Sequence, residues 1–311
     1  MGDYILKRAA TSLLVLFVLA AASFCVIHLV PGDPVRQMLG SSAKPETIQL
    51  TRQELGLDQP LPQQFAGFIV KTFTGDFGES IPLQTPISTL IGHRVMPSVL
   101  LILYGVLVSL AIGIPLAVTS ALRPQSLVDN AVLVMTTFTF AMPQFWLGLV
   151  LALLFGLHLN IFPVSGYEGG IGGVLRTLTL PAFTLGLSMV AMVVRTLRTR
   201  LLDVLGSEYI EAARARGLSE TRVVYKHAMR NAFMATLTVL SVQIGFLIGG
   251  TVVIEHVFQI PGMGSLLLES ILRRDYPLVQ VIAVLSGAAV VLVGFLADLA
   301  LLALDPRVRL A

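Results

Sequence analysis

Cysteine is almost missing from this chain of 311 residues: Cys25 stands alone, which rules out an intrachain disulfide and a thiolate metal cluster and leaves a buried structural thiol as its expected role. Charge is scarce as well. Charged residues make up 13% of the sequence against 55% hydrophobic ones, too little polar surface for a water-soluble globule of this size. A Walker A stretch is lacking, because Lys71 and Thr72 have no glycine-rich lead, and this excludes ATP hydrolysis by a P-loop within the chain. Neither HExxH nor GxSxG occurs. His28, His93, His158, His227 and His256 fall in separate segments without metal-ligand spacing, so no catalytic residue and no metal site is indicated. The net charge of +3 needs no nucleic-acid partner.

What the chain has in quantity is uncharged apolar sequence. Six runs stand out: Ala9 to Val30, Pro97 to Leu122, Ala131 to Leu157, Thr177 to Val194, Ala232 to Ile254 and Leu278 to Ala297. At about 1.5 Å per helical residue, runs of roughly 18 to 27 residues cross a hydrocarbon core of about 30 Å. The expected class is therefore an all-α membrane protein with six transmembrane helices. The first run follows Lys7 and Arg8 like a secretory signal, but it exceeds the usual apolar length of such signals, and an uncleaved first helix is expected.

Basic residues set the orientation. With a cytoplasmic amino terminus, thirteen Lys and Arg fall inside, Arg195, Arg198, Arg214, Arg307 and Arg309 among them, and eight fall outside, mostly in the long first loop. Both termini are thus expected on the cytoplasmic side, the chain being multi-pass and in contact with membrane lipid. Three regions follow: residues 1–30 with the first helix, 31–96 as an extracytoplasmic cap, and 97–311 as the core. The turns GDP at Gly32 and GDFGES at Gly75 predict short helices joined tightly within the cap.

Within the spans, Pro143 followed by Gln144 predicts a kink in helix 3, where freed backbone groups need protein or cavity water. Pro143, Gln144, Gln243 and Glu255 are the candidates for a translocation path or gate, with Glu255 and His256 brought to the outer face; a pure packing role for the kink stays open. Ser241, Gly245 and Gly249 recur every four residues and predict a packing stripe within the chain or against a partner. Asp298 is the one acid read as deep enough for ion coupling, with Arg195 and Arg198 placed to pair with it.

The most informative stretch is residues 205–231, a charged island between apolar spans. Ser207 reads as an N-cap, Glu208 and Glu211 sit at the positive helix end, Arg214 and Arg216 at the negative end, and Gly217 is the stop; Ser219 caps a second helix. Tyr209, Ile210, Ala212 and Ala213 are expected to face a contact. An ordinary solvated loop helix and a docking element both fit these residues.

Motifs in order settle the choice by resemblance: YILKR at Tyr4, LVPGDP at Leu29, LGLDQPL at Leu55, GDFGES at Gly75, RVMPS at Arg94, PQFWLG at Pro143, LPAFTLG at Leu180, EYIEAARARGLS at Glu208, HAMRNA at His227, GGTVVIEHVF at Gly249, PGMG at Pro261, RDYP at Arg274 and LDPR at Leu304. From end to end the chain resembles the B-type permeases of ATP-binding-cassette importers of the dipeptide, oligopeptide and nickel group. The resemblance implies a type I importer permease fold and a coupling element formed by Glu208, Tyr209, Glu211, Ala212, Ala213, Arg214, Gly217, His227, Arg230 and Asn231. It implies a second homologous permease, two cytoplasmic ATPase subunits that hold ATP and Mg, and an extracytoplasmic binding protein; this chain itself would bind no cofactor. Peptides are the expected cargo, with nickel, glutathione or opine-like solutes as alternatives, and an ion-coupled secondary transporter is the other class. Where such permeases usually carry proline shortly after the HAMRNA position, Ala235 stands here, predicting a straighter start to helix 5.

Overall fold

The computed structural model describes residues 2–29, 32–40 and 43–304. Val30, Pro31, Asp305, Pro306, Arg307 and Arg309, which carry parts of the motifs and of the orientation count above, lie outside the described residues. In chain order the helices are α1 (Gly2–Leu29), α2 (Pro34–Leu39), α3 (Pro45–Glu54), α4 (Leu61–Thr74), α5 (Ile87–Leu122), α6 (Leu127–Ala141), α7 (Gln144–Leu151, continued by a π-helical turn Ala152–His158), α8 (Gly170–Thr177), α9 (Thr179–Leu205), α10 (Glu208–Ala215), α11 (Glu220–Arg222, continued by a π-helical turn Val223–Ala228), α12 (Met229–Val257), α13 (Met263–Leu272) and α14 (Tyr276–Leu304). Strands β1 (Glu79–Ser80) and β2 (Thr85–Pro86) pair antiparallel between α4 and α5.

Among the described residues five helices are long and apolar enough to cross a membrane, and a sixth span exists if the pair Leu127–Ala141 and Gln144–His158, bent by 102°, counts as one. The all-α membrane class holds. The expected kink in helix 3 is a full break: Met142 and Pro143 are both extended, at ψ 134° and 131°, because proline pushes the residue before it out of the helical region. Helices also outrun their apolar cores. α5 starts at Ile87, well before Pro97, and α9 passes Val194 to carry Arg195, Arg198 and Arg200.

The chain divides into two compact units, Met1–Ser98 with Pro261–Leu292, and Val99–Ile260 with Val293–Ala311. In the first, Ile87, Ile91, Leu266, Leu278 and Ile282 form the core. The Gly32 turn leads into α2, where Asp33 accepts a hydrogen bond from the Val35 amide at 3.1 Å and a second from Arg52 Nη2 at 2.6 Å. Gly75, at φ 77°, ends α4, and the GDFGES stretch then builds the hairpin rather than another helix. The hairpin is fastened by the buried Ser80 hydroxyl, which donates to the buried carboxylate of Asp275, itself accepting from the Leu278 amide. Burial pushes that carboxyl above its ordinary range, against the pull of Ser80. Cys25, expected to be buried, is exposed on α1.

In the second unit α9 packs against α6, α7 and α12, and its apolar face is buried with Leu247, Ile254 and Phe258. It also crosses α5 closely. A Cβ on Gly186 would stand 2.8 Å from the Gly105 carbonyl oxygen and 2.7 Å from Val108 Cγ1, and one on Gly113 would stand 2.8 Å from Val193 Cγ1. Small residues thus do bring two helices together, but on α5 and α9. On the stripe read from the sequence, the Ser241 hydroxyl returns to the Thr238 carbonyl, and a Cβ at the exposed Gly249 would meet no atom within 4 Å. Gly186→Ala should therefore destabilise the chain by about 1 to 3 kcal/mol through overpacking. Thermal unfolding in detergent checks this, and an unchanged midpoint would mean that α5 and α9 part easily.

Candidate coupling surface

α9 runs to Leu205 and hands over to α10 through Gly206 and Ser207 alone. Ser207 occupies the N-cap position with an extended backbone, yet its hydroxyl makes no cap bond; it donates back to the Val204 carbonyl. Ser219 likewise starts α11 without a side-chain cap. The stop is as the sequence reads. Gly217 takes φ 78°, its amide donates to the Arg214 carbonyl at 2.9 Å, and the Leu218 amide donates to the Ala213 carbonyl at 3.4 Å. These two bonds are the paired pattern of a Schellman stop, which needs a left-handed residue at this position.

Burial divides the residues expected to face a contact. Ile210 and Ala213 are enclosed with Leu197, Leu201, Val223 and Ala228, so they anchor α10 rather than present a surface. The exposed side carries Glu208, Tyr209, Glu211 and Ala212. Its tip is fastened by Arg214, whose guanidinium makes a two-pronged bond to Glu220, 2.7 Å from Nε to Oε1 and 3.2 Å from Nη2 to Oε2. Both groups are exposed, so the pair orients more than it stabilises. At the base, Asn231 Nδ2 donates to the Tyr209 hydroxyl at 2.8 Å, tying α10 to the first turn of α12. Arg230 is exposed beside it and His227 is half-buried in the π-helical turn. The return arm is no loop: Glu220 to Val257 forms one continuous helical span, which passes Ala235 without a break.

The path candidates are spread along two regions. Pro143 heads α7, and Gln144 beside it donates from Nε2 to the Ser188 hydroxyl of α9 at 3.0 Å. Gln243 is half-buried on α12. Glu255 lies in the last turn of α12 and is fully buried within the protein, while His256 beside it is exposed.

The ion pairing read from the sequence is wrong in its partner. Arg198 bonds Asp129, 2.7 Å from Nε to Oδ1 and 2.6 Å from Nη2 to Oδ2, while Arg195 donates to the Thr137 hydroxyl at 2.7 Å. The Ser120 hydroxyl and the Gln125 amide also donate to Asp129, which is 1% exposed. One carboxylate thus ties α5, the turn after it, α6 and α9. Asp129 and Glu255 are both more fully buried in the protein than Asp298, which is half-buried. The available sequence signal was the lone acid in the first turn of α6, three residues after its N-cap Ser126. Among the described residues no group of three His, Cys, Asp or Glu is placed to hold a metal ion.

A solved chain of the MetNI methionine ABC transporter in inward-facing conformations has the same fold, with a TM-score of 0.59 and 17% identity over 71% of this chain and 98% of that one. The fold is thus that of a type I importer permease. Among curated proteins, the glutathione transport system permease protein GsiC of Salmonella typhimurium is 37% identical over 99% of both chains. A Brucella abortus protein whose name assigns it to a peptide transport system as permease is also 37% identical over 99% of both. Residues 113–310 match the model of the binding-protein-dependent transport system inner membrane component, and residues 1–87 match the model of its N-terminal part. The chain belongs to this family of binding-protein-dependent transport permeases. It is a transport subunit and not an enzyme.

Proposed function

We propose that this permease moves di- or oligopeptides, supplied by an extracytoplasmic binding protein, along a path shared with a second homologous permease. Two cytoplasmic ATPase subunits, which hold ATP and Mg, drive it through α10, and the chain itself holds no cofactor. The observation that carries this reading is the geometry of Glu208 to Asn231. A short helix anchored by Ile210 and Ala213 leaves Glu208, Tyr209, Glu211 and Ala212 bare for a partner. Nucleotide closure would move α10, and with it α9, because differential contact in two states is what shifts a bistable bundle. In this orientation α10 and both termini are cytoplasmic, and the segment between α1 and α5 caps the outer side.

Glutathione, itself a tripeptide, is the second reading, favoured by the likeness to GsiC. Uptake into vesicles holding the assembled complex tests both. Labelled dipeptide should enter with ATP and binding protein present and should survive collapse of the proton gradient. Entry of glutathione but not of peptides would select the second reading, and loss on collapse of the gradient would sink both.

The bare Gly249 fits an interface with the second permease. Gly249→Leu should leave this chain folded, since the added side chain finds open space, while the yield of assembled complex falls. An unchanged yield would remove Ser241, Gly245 and Gly249 from the interface. Gln144→Leu, by contrast, should assemble normally and lose transport if the break in helix 3 lines the path.

A further inference from the structure

α4 carries three faces rather than two. Gln64, Phe65, Phe68 and Thr72 are half-buried: the Phe65 ring lies 5.8 Å from that of Phe17 and 5.3 Å from that of Phe24, Phe68 lies 6.0 Å from Phe24, and Gln64 Oε1 is 3.1 Å from His28 Nε2. This face seats the helix on α1. Next to it is a stripe of Pro62, Ala66, Val70 and Phe73, all exposed, with Val70 at 60% and Phe73 at 64%. A third, polar face holds Gln63, Gly67, Lys71 and Thr74, also exposed. A helix lying on a water-soluble unit turns a polar face outward, so the bare apolar stripe needs another solvent.

The level at which α4 meets α1 identifies that solvent. The apolar span of α1 is Leu6–Cys25, and Phe17 lies eight residues inside its Cys25 end, roughly 12 Å at the helical rise. Phe65 touches both Phe17 and Phe24, and so sits alongside the span rather than above it. Its neighbours on the bare side are then at the depth of acyl chains. We propose that α4 is an interfacial helix whose stripe of Pro62, Ala66, Val70 and Phe73 is seated in the lipid leaflet at the Leu29 end of α1. The polar face turns to the headgroups, and Lys71 lays its stem along the boundary with its ammonium in water. The inference rests on α1 being a membrane span and on nothing about cargo.

Nitroxide labelling of the full chain tests it. With Cys25→Ser removing the natural thiol, single cysteines are placed by Ala66→Cys, Val70→Cys and Phe73→Cys on the stripe, Gln63→Cys and Thr74→Cys on the polar face, and Leu14→Cys within α1. The chain is reconstituted in vesicles of phosphatidylethanolamine and phosphatidylglycerol. Collision rates are then measured with oxygen, which concentrates in hydrocarbon, and with a water-soluble nickel chelate. The oxygen-to-nickel ratio on the stripe should exceed that on the polar face several-fold and approach that of Leu14→Cys. Nickel preference at Val70→Cys and Phe73→Cys would put the stripe in water, and exclusion of both colliders would put protein over it; either result overturns the proposal. Nickel preference at Leu14→Cys would overturn the span itself and the inference with it. Ala66→Cys adds little volume and keeps the test if the larger side chains prove needed for folding.

Discussion

Asp129→Ala is expected to lower the stability of the purified chain by about 3 to 5 kcal/mol, the usual cost of removing one partner from a buried ion pair. Arg198 would keep its charge with its side chain 18% exposed, and the Ser120 hydroxyl and Gln125 amide would lose their acceptor as well. The size of the effect reflects the penalty of stranding these groups more than any gain from the pair. A double replacement, Asp129→Leu with Arg198→Met, removes both charges and should recover most of the loss. Unfolding midpoints in detergent for the single and double variants check this. A single variant as stable as the parent would show that the tie between α5, α6 and α9 is dispensable.

Gly217→Val should abolish ATP-driven uptake while leaving the spans folded. Space is not the obstacle, since a Cβ there would meet nothing within 4 Å. The backbone is: a left-handed conformation costs an L-residue roughly 1 to 2 kcal/mol, and more when it is β-branched. The chain escapes by giving up the bonds from Gly217 and Leu218 to α10, which moves Glu208, Tyr209 and Glu211 off their anchored positions. Gly217→Asn, tolerant of the same conformation, should keep most of the uptake. Co-purification of the ATPase subunits and uptake in vesicles are the measurements. Full activity in the valine variant would refute a docking role for α10.

Local features were legible in the sequence and distant ones were not. The glycine stop at Gly217 depends on a few neighbouring bonds, so residue type and spacing reveal it. The apolar runs gave the spans, because lipid demands helices of a given length. Hydropathy could not give the helix ends: α5 and α9 continue where charge begins, since a helix leaving the membrane keeps its backbone bonds. Nor could it give Arg198 its partner, because the choice between Asp129 and Asp298 is made by packing across helices. Spacing found small residues on α12, whereas the close approach occurs at Gly105 and Gly186, which lie on different helices and share no period. For α10 the charge pattern was readable, but not which apolar residues were anchors. Ile210 and Ala213 became distinguishable from Tyr209 and Ala212 only once the end of α9 lay beneath them.

The π-helical turn at Val223 to Ala228 gives the return arm of the candidate coupling element a property that no contact there supplies. Such a turn accommodates one residue more than the α-helix around it. The arm below it is therefore set to a rotational phase, relative to α12, that differs by about 100° from what an unbroken α-helix would impose. That offset is held in the length of the chain rather than in any side chain. Substitutions along the turn can weaken its packing but leave the phase alone, and the loss of a single residue would turn it into regular α-helix with the exposed face of Glu220 to Arg222 still in place, whereas rewinding the turn to α-helix at unchanged length would re-aim that face by more than a quarter turn.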